Sequence, residues 1–302
     1  MNILVTGGTV FVSKYIANYF KNNNEVFVLN RNTKKQLDGV HLIEADRHNL
    51  GNILKEYNFD VVLDICAYTG EDVSDLADAL PDGVKDYILI SSSAVYPETN
   101  VQPFTEEQEI GSNSIWGNYG TNKIEAEKIL SSRMPAAYIL RPPYLYGPMQ
   151  NVYREPFVFE CALSDRVFYI PKDGTMKMQF FHVEDLCRVI AKIIETHPDY
   201  HIINVGNKNL VNINEFVSLC YKVVGKELKI VNVYNHENQR DYFSFHDYEY
   251  YLDVTKQNEL INNTKDLEVG LRESFEWYIK HSEEVSRKNY IDFIESHKGL
   301  WQ

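Results

Sequence analysis

The sequence predicts an α/β fold, a doubly wound parallel sheet with a smaller C-terminal α/β domain. Three observations carry that reading. Short apolar runs at Ile3–Val5, Val26–Leu29, His41–Ile43, Val61–Ile65, Tyr87–Ile90 and Ala137–Leu140 read as buried strands. Helix-like stretches separate them, at Gly51–Tyr57, Asp72–Leu80 and Trp116–Ser132. The chain also opens "MNILVTGGTVFVSKYIANYF", a strand, a glycine turn and a helix from Ser13 to Phe20. Parallel strands need long crossovers, so a β-α-β rhythm places helices on both faces of one sheet.

The rhythm breaks at "RPPYLYGP". A helix at Glu184–Thr196, a strand at Ile202–Val205 and a helix at Asn214–Val224 follow, then a Tyr-rich stretch at Asp241–Tyr251 and helices from Asp266 onward. This predicts a dinucleotide-binding domain from residues 1–150 plus 177–205, and a substrate domain from 151–176 plus 206–302. The Tyr-rich stretch reads as packing for the smaller domain's core.

Composition narrows the function classes. The 302 residues carry a net charge of −13, which repels nucleic acid and anionic membrane over most of the exterior. An anionic ligand then needs a local site of backbone N–H groups and a few cations. No apolar run approaches the roughly 18 residues of a membrane span. Cys66, Cys161, Cys187 and Cys220 lie far apart without a C-x-x-C pair, so they read as reduced thiols, and no metal is expected. The first strand begins at once, so no leader is expected. The expectation is a cytoplasmic protein.

The glycine turn carries the first chemistry. Counted from Gly7, the spacing T-G-x-x-G-x-x-G meets Val10 and Ser13 where glycines are usual. Backbone N–H groups from Gly8 to Val12 still face a phosphate at a helix N-terminus, and Ser13 offers a hydroxyl. Tyr119 and Lys123 lie four apart on a predicted helix and so share a face. A neighbouring ammonium favours the phenolate, which makes such a tyrosine an acid and base near neutral pH. The serines of "ISSSAVY" end the fifth strand, where they either cap a turn or place a hydroxyl.

"ILISSSAVYP", "YGTNK" and "LRPPYLYGP", followed by "QFFHVEDL", "INVGN" and "LDVTKQNEL", resemble the extended short-chain dehydrogenase/reductase superfamily in its sugar-nucleotide epimerase/dehydratase branch. The opening "TGGTVFV" with "LNRN" and "EADRHNL" is similar to a subgroup that includes the chloroplast stem-loop-binding proteins. The resemblance implies a Rossmann domain with Ser92, Tyr119 and Lys123 catalytic, Ser91 and Ser93 being alternatives to Ser92. It implies cofactor contacts from Gly7, Thr9, Val10, Phe11 and Val12, from Asp46 and Arg47 beside adenine, and from Ala67 and Tyr68 beside the ribose. Ser91 joins these, and Pro142, Pro143 and Tyr144 line the nicotinamide.

Cofactor choice turns on the end of the second strand. Asn30 stands where NAD-binding members usually carry an acid, and Arg31 follows, so NADP is favoured over NAD. Ser93, Asn151, Tyr153 and Arg240 are the substrate candidates. Met178 occupies the place of a diphosphate-binding arginine four residues before His182. Ser93 and Ala94 stand where dehydratases carry Asp and Glu, which disfavours dehydration. A homodimer through the Tyr119 helix, with its apolar Ile124, Ile129 and Leu130, is implied. The expected function is an NAD(P)-dependent epimerase or oxidoreductase acting on a sugar or nucleotide sugar. The alternative is a cofactor-binding regulatory or RNA-binding protein, which the acidic composition opposes.

Overall fold

The computed structural model describes residues 1–301. Strand β1 (Asn2–Thr6) passes through the glycine turn into α1 (Phe11–Phe20), then β2 (Glu25–Asn30) and β3 (His41–Glu44). Short 3-10 turns at Arg47–Asn49 and Ile53–Glu56 precede β4 (Val61–Asp64), α2 (Gly70–Ala79) and β5 (Asp86–Ile90). A 3-10 turn at Ser93–Val95, α3 (Asn118–Arg133) and β6 (Tyr138–Arg141) follow. Next come β7 (Tyr144–Tyr146), α4 (Glu155–Leu163), β8 (Phe168–Pro171), β9 (Lys177–Met178) and β10 (Phe180–His182). Then α5 (Val183–Thr196), β11 (Ile202–Asn204), β12 (Val211–Asn212), α6 (Ile213–Val224) and β13 (Ile230–Val233). The last helices are α7 (Thr255–Leu260), α8 (Leu267–His281) and α9 (Tyr290–His297).

Two compact units emerge. The first, Met1–Pro143 with Val183–Gly206 and Leu252–Thr264, holds a seven-stranded sheet in the order β11-β6-β5-β4-β1-β2-β3. All its pairings are parallel, with Ile3 opposite both Val26 and Val61. Strand order reverses between β1 and β4, which opens a crevice beyond their C-terminal ends. Alternation along the strands fills both faces. Leu4, Val62, Leu89 and Ile139 share a core with Val73 and Leu76 of α2 and Ala126 and Leu130 of α3. The intervening Ile3, Val5, Val28 and Ile88 are as deeply buried on the opposite face, and α1 packs on α5. Ile124 is also buried, and Ile129 packs against the same core as Leu130, so these apolar residues of α3 are taken up inside the unit.

Local signals explain the boundaries. Thr69 and Asp72 form a reciprocal capping box that starts α2 at Gly70. The helix predicted over Gly51–Tyr57 is only the 3-10 turn, because Gly51 sits at φ +52° and Tyr57 is already extended. The unit boundaries also differ from the sequence reading. Leu252–Thr264 joins the first unit because Asp253 N–H donates to the Phe104 carbonyl at 2.9 Å and the Gln257 amide exchanges hydrogen bonds with Gly206. Residues 144–150 and 177–182 fall in the second unit because β7 pairs with β10 and β9 with β12. That unit packs α4, α6 and α8 together, beside the parallel pair β8–β13. Tyr242, Phe243, Phe245 and Tyr250 of the Tyr-rich stretch lie in its core.

One ion pair is sealed inside the first unit. Glu127 on α3 and Arg141 at the end of β6 are each 2 % exposed. Arg141 donates from Nε at 3.0 Å and from Nη2 at 2.6 Å to the Glu127 carboxylate. Its Nη1 donates to the Tyr96 hydroxyl at 2.8 Å, which donates in turn to Asn204 Oδ1 at 2.8 Å. The Ser91 hydroxyl donates to Glu127 from the end of β5. Removing one partner strands a buried charge, so Arg141→Met destabilises the protein by about 3–5 kcal/mol. The double replacement Glu127→Met with Arg141→Met costs much less, and urea unfolding of both variants checks the contrast.

Candidate active site

The glycine turn is built for close approach. Gly7 and Gly8 hold φ of +90° and +89°, where side chains are strained. A Cβ on Gly7 would stand 2.7 Å from Cys66 Sγ and 2.8 Å from Ser13 Oγ, and one on Gly8 only 2.5 Å from Val28 Cγ1. Gly7 N–H donates to the Leu29 carbonyl at 2.9 Å, and the Gly7 carbonyl accepts from Asn30 Nδ2 at 2.7 Å. Val10 is the extended residue before α1, Phe11 begins it at φ +34° with its ring buried, and Val12 is half-buried. Ser13 corrects an expectation: its hydroxyl donates to the Val10 carbonyl at 3.0 Å, closing the loop upon itself instead of offering a phosphate ligand.

Beside this turn lies a cavity of about 360 Å³. Of the residues expected at a cofactor, Gly7, Thr9, Asn30, Arg31, Asp46, Arg47 and Tyr68 line it. Asn30 is fully engaged: it donates to Gly7 and Gln36 and accepts from Asn32 N–H and Gln36. The Arg31 side chain is 72 % exposed and stands 3.9 Å from the Asp46 carboxylate. Arg47 is planted in the wall. Its guanidinium donates twice to Asp64, at 3.2 and 2.9 Å, with Nε 3.6 Å from Asp72. Asp64 also accepts from Thr6 Oγ1 at 2.8 Å and from Tyr87 Oη at 2.6 Å. Burial and that carboxylate push the Tyr87 phenol well above its usual range, so it stays a donor. Sequence reading missed Asp64, whose one signal is an acid closing the apolar run "VVLD".

A turn rich in bare amides, threonine hydroxyls and a carboxylate next to a cation suits the phosphate and adenosine parts of a dinucleotide. Burial pushes the Cys66 thiol up to about 11, so it lines the cavity as an unreactive group.

The serine, tyrosine and lysine expected to be catalytic lie just after β5 and on the first two turns of α3. Ser92 caps the 3-10 turn Ser93–Val95, its hydroxyl accepting from Ala94 N–H at 3.2 Å. Gly120 of α3 presses on that turn, since a Cβ there would stand 2.5 Å from the Ala94 carbonyl oxygen. The close approach seats the first turn of α3 beside Ser92. Tyr119 is 43 % exposed, and Lys123, one turn on, is buried. The ammonium donates to the Ala67 and Ile90 carbonyls at 2.7 and 2.9 Å and lies 5.0 Å from the centre of the Tyr68 ring. Burial lowers its pKa from 10.5 to about 8. Ala67 is thus a backbone anchor for Lys123, Ser91 bonds Glu127, and buried Ser93 donates its N–H to the Pro142 carbonyl at 3.0 Å.

Other candidates take structural places in the second unit. The Tyr144 ring packs on Phe245 and Phe180 with the Arg154 guanidinium 5.6 Å away, so it is part of that unit's core. Tyr153 is buried and donates to Glu160 at 2.8 Å, which corrects its expected place on a substrate loop. Asn151 accepts from Ser286 N–H at 2.8 Å, Arg240 donates to the Ser244 carbonyl, and Met178 is buried in β9.

Two outcomes follow from this geometry. Gly8→Ala combines left-handed strain with a clash on Val28 and lowers stability by about 2–4 kcal/mol, read by urea unfolding. Lys123 binds its proton less tightly folded than unfolded, so stability rises with pH between about 8 and 10.5. Below about 8 the full penalty of the buried charge is present. Unfolding measured across that window shows the rise in the wild type and loses it in Lys123→Met.

Residues 3–206 match the family model described as NAD dependent epimerase/dehydratase family. The chain is 27% identical over 304 residues to the chloroplast stem-loop binding protein of 41 kDa b of Arabidopsis thaliana, covering 90% of this chain and 78% of that protein. Its fold is similar to that of UDP-glucuronic acid 4-epimerase from Bacillus cereus in complex with UDP-glucuronic acid and NAD. That match has a TM-score of 0.75 at 20% identity, covering 93% of this chain and 99% of the other. It is also similar to dTDP-glucose 4,6-dehydratase from Bacillus anthracis in complex with NAD, at TM-score 0.76 and 21% identity, covering 94% and 98%. The preference for NADP is thereby corrected: the matching family is NAD dependent, and both solved structures hold NAD. Arg31, the residue behind that preference, faces the Asp46 carboxylate. Among the described residues no helix is long and apolar enough to cross a membrane. With its match running from β1 to just past β11, the chain belongs to the NAD dependent epimerase/dehydratase family.

Proposed function

We propose that the chain is an NAD-dependent enzyme that epimerises, or oxidises and reduces, a hydroxyl-bearing carbon of a sugar nucleotide. The observation that carries this reading is the seating of α3 on the Ser92 turn, with Lys123 buried below Tyr119 and Tyr68 linking Lys123 to the nucleotide cavity. The backbone from Gly7 to Val12 would hold the pyrophosphate, Asp46 and Arg31 would flank the adenosine, and Lys123 would meet the second ribose. Bound NAD supplies a reversible hydride acceptor. Tyr119 takes the proton of the substrate hydroxyl and returns it, Ser92 bonds the reacting oxygen, and Lys123 stabilises the phenolate.

Elimination of water needs an acid and a base beside the departing groups. Ser93 and Ala94 follow Ser92 and supply neither, so the proposal is epimerisation or oxidoreduction, not dehydration. A second reading, RNA binding, draws on the name of the stem-loop binding relative. The net charge of −13 opposes it, because most of the binding energy for nucleic acid comes from neutralised phosphates.

Tyr119→Phe keeps the ring and removes the proton carrier. Turnover on UDP-glucose, UDP-glucuronic acid or dTDP-glucose falls by about 10²-fold or more, with NAD affinity nearly intact. Assaying that panel by product analysis and NADH absorbance, with NAD titrated separately, decides the point. Unchanged turnover in Tyr119→Phe overturns the mechanism. A wild type inert on the whole panel that retains a labelled RNA stem-loop on a filter favours the second reading.

A further inference from the structure

The end of β2 leaves a gap in the logic of cofactor choice. Asn30 is neutral, and its side-chain amide already serves Gly7, Asn32 and Gln36. It braces the glycine turn and has nothing left to read a ribose. Arg31 beside it carries an exposed guanidinium that would welcome a 2′-phosphate. Across the cavity, at the end of β3, stands Asp46. Its Oδ1 accepts from His48 N–H at 3.1 Å, capping the 3-10 turn Arg47–Asn49, so the carboxylate is held in place. Its Oδ2 lies 3.9 Å from Arg31 Nη1, and both side chains line the cavity.

We propose that Asp46 is the residue that selects NAD over NADP. It does so by setting a fixed negative charge beside Arg31, so that a 2′-phosphate entering this corner meets a carboxylate as well as a guanidinium. Glu44, at the end of β3, accepts from the side chain of Asn32, the neighbour of Arg31, at 2.9 Å, which adds to the negative field. A 2′-hydroxyl carries no charge and loses nothing to this arrangement. The selectivity that other dinucleotide sites place at the end of the second strand is here moved to the end of the third, because the second strand's terminal residue is engaged in holding the turn.

This inference rests on the reading of the cavity as an NAD site, and the experiment separates the two. NAD and NADP are titrated by protein fluorescence and by thermal shift into the wild type, Asp46→Asn, Arg31→Ala and the double variant. Asparagine keeps the capping acceptor, so the 3-10 turn survives and only the charge is lost. The expected result is wild-type preference for NAD and, in Asp46→Asn, a ratio of NADP to NAD affinity raised about tenfold. The gain disappears in the double variant, because it needs the freed Arg31. It also shrinks at high salt. Equal changes for NAD and NADP in Asp46→Asn overturn the selectivity role while leaving the NAD site intact. A wild type that binds neither dinucleotide overturns the reading of the cavity, and the inference with it.

Discussion

The buried pair between Glu127 and Arg141 is the constraint on which the reactive end of the first unit depends. It joins the middle of α3 to the end of β6 and, through Ser91, to the end of β5. Tyr119 and Lys123 lie on the same helix about two turns and one turn before Glu127, and Ser92 follows Ser91 directly. The pair therefore fixes the rotation and height of α3 relative to the strand end that carries the serine. A buried ion pair adds little net stability against an apolar alternative, because desolvation offsets most of the attraction. Its use lies in registry: two charges and five hydrogen-bonding groups are satisfied in one arrangement only.

A second node, around Asp64, does the equivalent work below the nucleotide cavity. One fully buried carboxylate collects Thr6 from β1, Tyr87 from β5 and Arg47 from the turn after β3. Three strands and a loop are pinned at the crevice where strand order reverses. The Arg47 cation is consumed in this wall, which leaves Arg31 as the exposed arginine lining the cavity. The proposed dinucleotide site is compatible with a strongly acidic chain, because backbone amides at a helix N-terminus can meet phosphates without a basic patch.

Departures from the usual glycine pattern have local reasons. Ser13 sits where the missing glycine would lie, yet its hydroxyl turns to Val10 and its Cβ faces bare Gly7. Gly7 and Ser13 together fill the volume that other spacings distribute differently. Gly120 shows the converse: an unremarked glycine between Tyr119 and Thr121 lets α3 approach the Ser92 turn. Close packing of helix on turn, not the helix's own preferences, seats the tyrosine.

The sequence by itself determined the strand and helix alternation, the parallel sheet and the placing of Tyr119 and Lys123 one turn apart on a helix, because periodicity and short fixed spacings are local properties of a chain. It also located the glycine turn, since a left-handed backbone favours glycine. Only the tertiary structure decided which polar groups are free. Asn30, Arg47 and Ser13 looked like ligands in sequence and prove to be engaged with Gly7, Asp64 and Val10. Tyr144 and Tyr153 lie close to the reactive motifs along the chain but are buried in the second unit. The return of Leu252–Thr264 to the first unit was equally invisible, as it rests on hydrogen bonds to Phe104 and Gly206 from far along the chain. The physical reason is common to all of these: a side chain's availability depends on partners set by long-range packing, which no local pattern encodes.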